Sequence, residues 1–68
     1  MTAERQWIRT DADTLRLSGT RITITHMFGD FMVTCGEWYE MCETLPAAKA
    51  MGEKWVEDFG ELALEWKP

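Results

Sequence analysis

From Arg21 to Met27 the chain reads Arg-Ile-Thr-Ile-Thr-His-Met, a clean alternation rich in β-branched side chains. Period-two alternation sends Ile22 and Ile24 to one side of a pleated strand and Thr23 and Thr25 to the other. Turn residues bracket the segment. Ser18-Gly19 precede it, and Gly29-Asp30 follow it between Phe28 and Phe31. A two-residue turn at Ser18-Gly19 sets Leu15 opposite Ile22. A three-residue loop would set Leu15 against Thr23, and a one-residue slip flips every side chain, so the shorter turn is preferred. A turn at Gly29-Asp30 pairs Ile24 with Cys35, His26 with Val33 and Phe28 with Phe31 on one face. It pairs Thr25 with Thr34 and Met27 with Met32 on the other, and both faces are chemically consistent.

The flanks extend this sheet. Trp7 to Thr10 starts a first strand that continues past an acidic patch through Thr14 to Leu17. Gly36 marks a bulge, and Trp38 to Cys42 continues the strand or opens another short one. Thr44-Leu45-Pro46 reads as a helix start, because Thr caps free N–H groups and Pro is tolerated in the first turn. Ala48, Met51, Gly52, Trp55, Phe59, Leu62 and Trp66 then recur in a stripe roughly 80–100° wide, as for a helix packed on a sheet. One long helix to about Trp66 is the preferred reading. Its alternative ends the helix at Gly60 and makes Leu62, Leu64 and Trp66 a last strand.

These elements define a single α+β domain over residues 1–68. A three- to four-stranded antiparallel sheet carries one C-terminal helix on one face, in the order β-β-β-α. The expected core is Leu15, Leu17, Ile22, Ile24, Val33, Cys35, Ala48, Met51, Trp55, Phe59 and Leu62. Four Trp in 68 residues supply the large apolar area that so small a core needs.

Charge narrows the partners. Twelve acidic residues against seven basic ones give a net charge of −5, which disfavours nucleic acid and anionic membranes and suits a basic partner. No apolar run is long enough for a transmembrane helix. Met1 to Arg9 has no apolar signal core, so the expectation is a cytoplasmic protein with Cys35 and Cys42 as free thiols.

Catalytic and metal-binding readings find little support. His26 lies one diagonal from Cys35 in the expected register, but no third group orients the pair. Cys35 and Cys42 lack the close spacing of zinc modules, and on one continuous strand their odd separation points them to opposite faces. Asp11, Asp13 and Asp30 are explained by turn preference. No phosphate loop, nucleophile elbow or dinucleotide fingerprint is present. The expectation is a protein without catalytic, cofactor or metal sites.

Two surfaces stand out. Glu53, Glu57, Glu61 and Glu65 recur every four residues, with Asp58 beside them, and form a ridge opposite the apolar stripe of a long helix. Like charges at that spacing repel, by about 0.2–0.5 kcal/mol per pair. The second surface is the sheet face away from the helix, with Thr23, Thr25, Met27, Met32, Thr34, Tyr39 and Met41. Threonines suit solvent, and the methionines and tyrosine suit an adaptable contact surface.

In size, net acidity, hairpin sheet with one helix, acidic row Glu53, Glu57, Glu61 and Glu65, and lack of catalytic groups, the chain resembles small phage- and prophage-encoded inhibitors of the anti-CRISPR kind. The resemblance implies a stoichiometric inhibitor whose acidic surface occupies the basic nucleic-acid channel of a host-defence effector and excludes target DNA. It carries no motif, so no family residue is transferred onto this chain. The partner-binding residues expected are Glu53, Glu57, Asp58, Glu61, Glu65, Met27, Met32 and Tyr39. The alternative is a structural or regulatory module that forms a homodimer through its Thr/Met face, with the acids serving solubility alone.

Overall fold

Five antiparallel strands and one helix make up the residues that the computed structural model describes, 5–64. β1 (Trp7–Asp11), β2 (Thr14–Leu17), β3 (Ile22–Met27), β4 (Asp30–Cys35) and β5 (Trp38–Cys42) pair in chain order as a meander. α1 (Leu45–Phe59) packs across β3, β4 and β5. The α+β class is as expected, but the sheet has five strands rather than three or four. The acidic patch is a turn, not a mid-strand interruption. Asp11 Oδ1 accepts from the Asp13 N–H at 3.0 Å and Arg9 donates to the Ala12 carbonyl at 2.9 Å, so β1 folds back on β2. The fifth strand arises because Gly36 (φ +62°) opens a two-residue turn with Glu37 instead of forming a bulge. A positive φ at the first turn position only is the type II′ geometry that glycine favours.

Both expected registers are displaced by two residues, which leaves the paired strand residues on their expected faces but moves Phe28 out of its expected pairing with Phe31 and into the turn. Leu15 lies opposite Ile24, not Ile22. The cause is Thr20, which is buried at 1% exposure. Its hydroxyl donates to the Leu17 carbonyl at 2.7 Å and accepts from the Ile22 N–H at 3.1 Å, which closes a longer loop. In the next hairpin the turn is Phe28-Gly29, not Gly29-Asp30. Ile22 faces Cys35, Ile24 faces Val33, His26 faces Phe31 and Met27 faces Asp30. Phe28 (φ +52°) and Gly29 (φ +79°) form a type I′ turn, whose two left-handed residues match the twist of the strands.

The helix-facing side of the sheet supplies Leu17, Ile22, Ile24, Val33, Cys35 and Cys42, and these pack with Ala48 and Ala63 as the buried core. Leu15 is half-buried. Met51, Trp55 and Phe59 pack against this core while remaining partly exposed. Leu62 is not core: it is 69% exposed. The helix is shorter than expected. Thr44 caps it, accepting from the Ala47 N–H at 3.3 Å, and Gly60 (φ +56°) ends it. A 3-10 helix follows (Gly60–Ala63), and Leu64 bridges to Thr20 while the Arg21 N–H donates to the Ala63 carbonyl at 2.8 Å. This is nearer the alternative of a break at Gly60 than the long helix. Glu65 and Trp66 lie outside the described residues.

α1 meets the sheet most closely at Gly52. A Cβ there would stand 2.6 Å from Trp7 Cη2 and 3.1 Å from Ile22 Cγ2. The Trp7 ring has little room to move, because its Nε1–H donates to Glu53 Oε2 at 3.2 Å. Gly52→Ala gains about 1 kcal/mol in helix propensity but overpacks this contact, which typically costs about 1–3 kcal/mol. A net loss on the order of 1 kcal/mol should lower Tm by roughly 4–8 °C in a domain of this size, and adding Trp7→Phe should recover part of it. A higher Tm for Gly52→Ala alone would contradict the packing described.

Phe28 is 95% exposed, so its left-handed backbone is not offset by packing. Asn tolerates that conformation better and is favoured before Gly in this turn. Phe28→Asn should stabilise the protein by about 0.5–1 kcal/mol, part of the roughly 1–2 kcal/mol that a left-handed residue costs, measured by chemical denaturation. Destabilisation would show that the Phe28 ring has a packing partner in the folded state.

Candidate functional site

Sequential strand order converts a charge gradient along the chain into one across the sheet. Residues 5–27 carry Arg5, Arg9, Arg16 and Arg21 against Asp11 and Asp13. From 28 to 64 come Asp30, Glu37, Glu40, Glu43, Glu53, Glu57, Asp58 and Glu61 against Lys49 and Lys54. The side of the molecule holding β5 and the end of α1 is therefore acidic.

On that side lies an exposed aromatic patch. Trp38 is 67% exposed, and its ring stacks on Phe59 at 6.2 Å. Phe59 in turn meets Trp55 edge-on at 5.5 Å. Trp38, Phe59 and Leu62 wall a cleft of about 190 Å³ with Arg21, Cys35 and Glu37. Glu37 precedes Trp38, Asp58 precedes Phe59 and Glu61 precedes Leu62, so acids border the apolar centre. An apolar centre with a polar rim is the ordinary anatomy of a protein interface.

The expected site residues separate into groups. Glu57 and Asp58 lie exposed in the last turn of α1, and Glu61 lies exposed on the 3-10 helix. The continuous four-member ridge is not formed, because the helix ends at Gly60. Glu53 holds the Trp7 indole, so it has a structural partner as well as exposure. Glu65 is not among the described residues. Met27, Met32 and Tyr39 are on the sheet face away from α1, as expected, with Met32 opposite Met41 and Tyr39 opposite Thr34. Sequence reasoning missed Trp38, Leu62, Glu37 and Glu40. The signal for Trp38 and Glu40 was Gly36-Glu37 as a two-residue turn, which fixes both on the helix-facing side.

A second cleft, of about 240 Å³, opens at the start of α1 between Arg9, Asp13, His26, Phe31 and Leu45. His26 is exposed there and stacks on Phe31 at 4.6 Å. It is far along the hairpin from Cys35, which pairs with Ile22, so the two are not diagonal neighbours as expected. Cys35 and Cys42 also do not point to opposite faces. The intervening turn places both on the helix-facing side, buried as free thiols. No group of three or more His, Cys, Asp or Glu among the described residues is arranged to hold a metal ion. No helix among them is long and apolar enough to cross a membrane. Compared with known proteins, the chain matches no family model, no curated protein and no solved structure.

Burial pushes both thiols up from their ordinary value of 9.0. Arg21 partly opposes this at Cys35, and the Glu40 charge adds to it at Cys42. A thiol raised by folding stabilises the fold fully below its unfolded pKa and less as pH rises through that value. Stability should therefore fall as pH climbs past about 9 and fall less in Cys35→Ala or Cys42→Ala, followed by urea midpoints. At neutral pH both thiols should alkylate at least about tenfold more slowly in the folded than in the denatured protein, read by mass spectrometry. Equal rates would show an accessible thiolate and revive a nucleophilic role.

Proposed function

We propose that this protein is a non-enzymatic, stoichiometric binder. Its acidic side, formed by β5 and the end of α1, docks on the basic nucleic-acid-binding surface of another protein and blocks access of nucleic acid. A host-defence effector complex is the partner class that the size, acidity and fold best suit.

The observation that carries this reading is the placement of Glu57 and Asp58. The last turn of α1 holds no basic residue and the first turn no acidic one. The C-terminal end of a helix carries partial negative charge, so acids there are unfavourable by about 0.3–1 kcal/mol each. Solubility alone would be met by acids at any exposed position. Acids placed against the helix dipole, beside an exposed aromatic patch, are what a surface kept for a cationic partner would carry.

The test separates stability from binding. Glu57→Lys with Asp58→Lys should raise Tm by a few degrees at low salt, since it corrects the dipole. The same variant should lose the partner captured by the tagged parent from nuclease-treated bacterial lysate. Capture should also weaken between ~0.1 and ~1 M salt, where the Debye length shrinks from about 10 to 3 Å, and added duplex DNA should compete. A partner that resists both salt and DNA would sink the proposal. Recovery of the protein alone, as a salt-insensitive dimer weakened by Met27→Glu, would favour the homodimeric module.

A further inference from the structure

β1 and β5 are the two edges of the sheet, and they are protected differently. β1 has a register shift between Arg9 and Asp11, the kind of bulge that blunts an edge against pairing. β5 pairs with β4 without interruption over all five of its residues. It contains no proline and no lysine. A two-residue turn closes on a hydrogen-bonded pair, here Cys35 and Trp38. Trp38, Glu40 and Cys42 therefore direct their backbone groups to β4, and Tyr39 and Met41 direct theirs outward. No described strand takes them up. The side chains along this edge are also open: Trp38 is 67%, Tyr39 66% and Met41 43% exposed.

We propose that β5 is a strand-addition site: its outer edge pairs with an extended, basic segment of the partner protein. Main-chain bonds to Tyr39 and Met41 supply the attachment, and alternate side chains supply the selectivity. A Lys or Arg sits opposite Glu40, and apolar side chains rest beside Trp38 on one face and beside Tyr39 and Met41 on the other.

Charge decides between this occupant and a second copy of the chain. The only antiparallel register that pairs all five residues of β5 with those of another β5 sets Glu40 against its own mate. It also sets Glu37 against Glu43 at both ends. Like charges directly opposite one another destabilise a sheet, and the two molecules each carry −5. A cationic strand reverses the sign of all three contacts. This inference rests on the acidic-docking reading for the sign of the partner and adds the mode of attachment.

The experiment selects random peptides of about ten residues, the length of a strand, on the full-length protein. Binders should carry a Lys or Arg flanked on both sides by apolar residues, the pattern that Glu40 between Tyr39 and Met41 calls for. In a synthetic copy of one binder, N-methylation should abolish binding at every second residue and be tolerated between. Glu40→Lys should weaken binding roughly tenfold, the swing from an attractive to a repulsive cross-strand pair. Tyr39→Pro removes an outward donor rather than a ladder bond, and should abolish binding while keeping a cooperative melt; if it does not fold, Glu40→Lys and the methylated peptides decide. Binders without basic residues, or methylation effects without period two, overturn the proposal. If Glu57→Lys with Asp58→Lys abolishes partner capture while Tyr39→Pro leaves it intact, strand addition fails and acidic docking stands. Peptides that bind β5 irrespective of charge overturn the basic occupant and leave acidic docking to the capture experiment. A dimer that Tyr39→Pro dissociates puts a second copy on the edge and overturns the basic occupant.

Discussion

The approach of α1 to the sheet at Gly52 sets the geometry of everything else. With no side chain at that position, the helix backbone comes down onto Ile22 and the edge of the Trp7 ring. Trp7 belongs to the first edge strand and Glu53 to the helix, so their hydrogen bond joins β1 to α1 although α1 packs chiefly across β3, β4 and β5. Interiors are close-packed, and a helix seated this low has little freedom to translate. The end of α1 is thereby held over the start of β5, where Phe59 meets Trp38. The aromatic patch and its acids are a consequence of where Gly52 sits.

Faces were legible in the sequence, and connections were not. Alternation in Ile22–Met27 and Asp30–Cys35 assigns every side chain to the correct face even though both pairings are displaced by two residues, because a shift of two preserves parity. The displacements come from conformations that single residues do not advertise. Phe28 adopts a positive φ that an aromatic rarely takes, and Thr20 is buried because its hydroxyl bonds twice to its own loop. The helix start followed from Thr44 and Pro46. The helix end was visible in Gly60 but competed with good helix formers after it. Tertiary pairing of Ala63 and Leu64 with the loop at Thr20 and Arg21 decided the matter.

The candidate site was half legible for the same reason. Acids could be counted from the sequence, but their row assumed a helix that continues past Gly60. Folding replaces that row with a cluster drawn from two elements, the end of α1 with the 3-10 helix and the strand β5. Only the meander order brings the two together, and a meander follows from short turns rather than from any one residue.

The two exposed surfaces of the sheet differ in how far they satisfy themselves. On the face away from α1, the Thr23 and Thr34 hydroxyls bond each other across the strands, and Thr14 and Thr25 approach at 3.5 Å. Met27 and Met32 are half-buried among these neighbours. Such a face is stable in water, since its polar groups have partners and its apolar groups are partly covered. The β5 edge is different in kind. No described strand pairs with its outward N–H and C=O groups, and Trp38 and Tyr39 are the most exposed aromatic side chains of the described strands. Edges of this kind are normally guarded against adventitious pairing. Here the guard is charge alone, and charge repels a second acidic chain while it attracts a basic one. On the proposed mode of attachment, the same glutamates oppose pairing with a second copy and select a basic strand, which a bulge or a proline could not do.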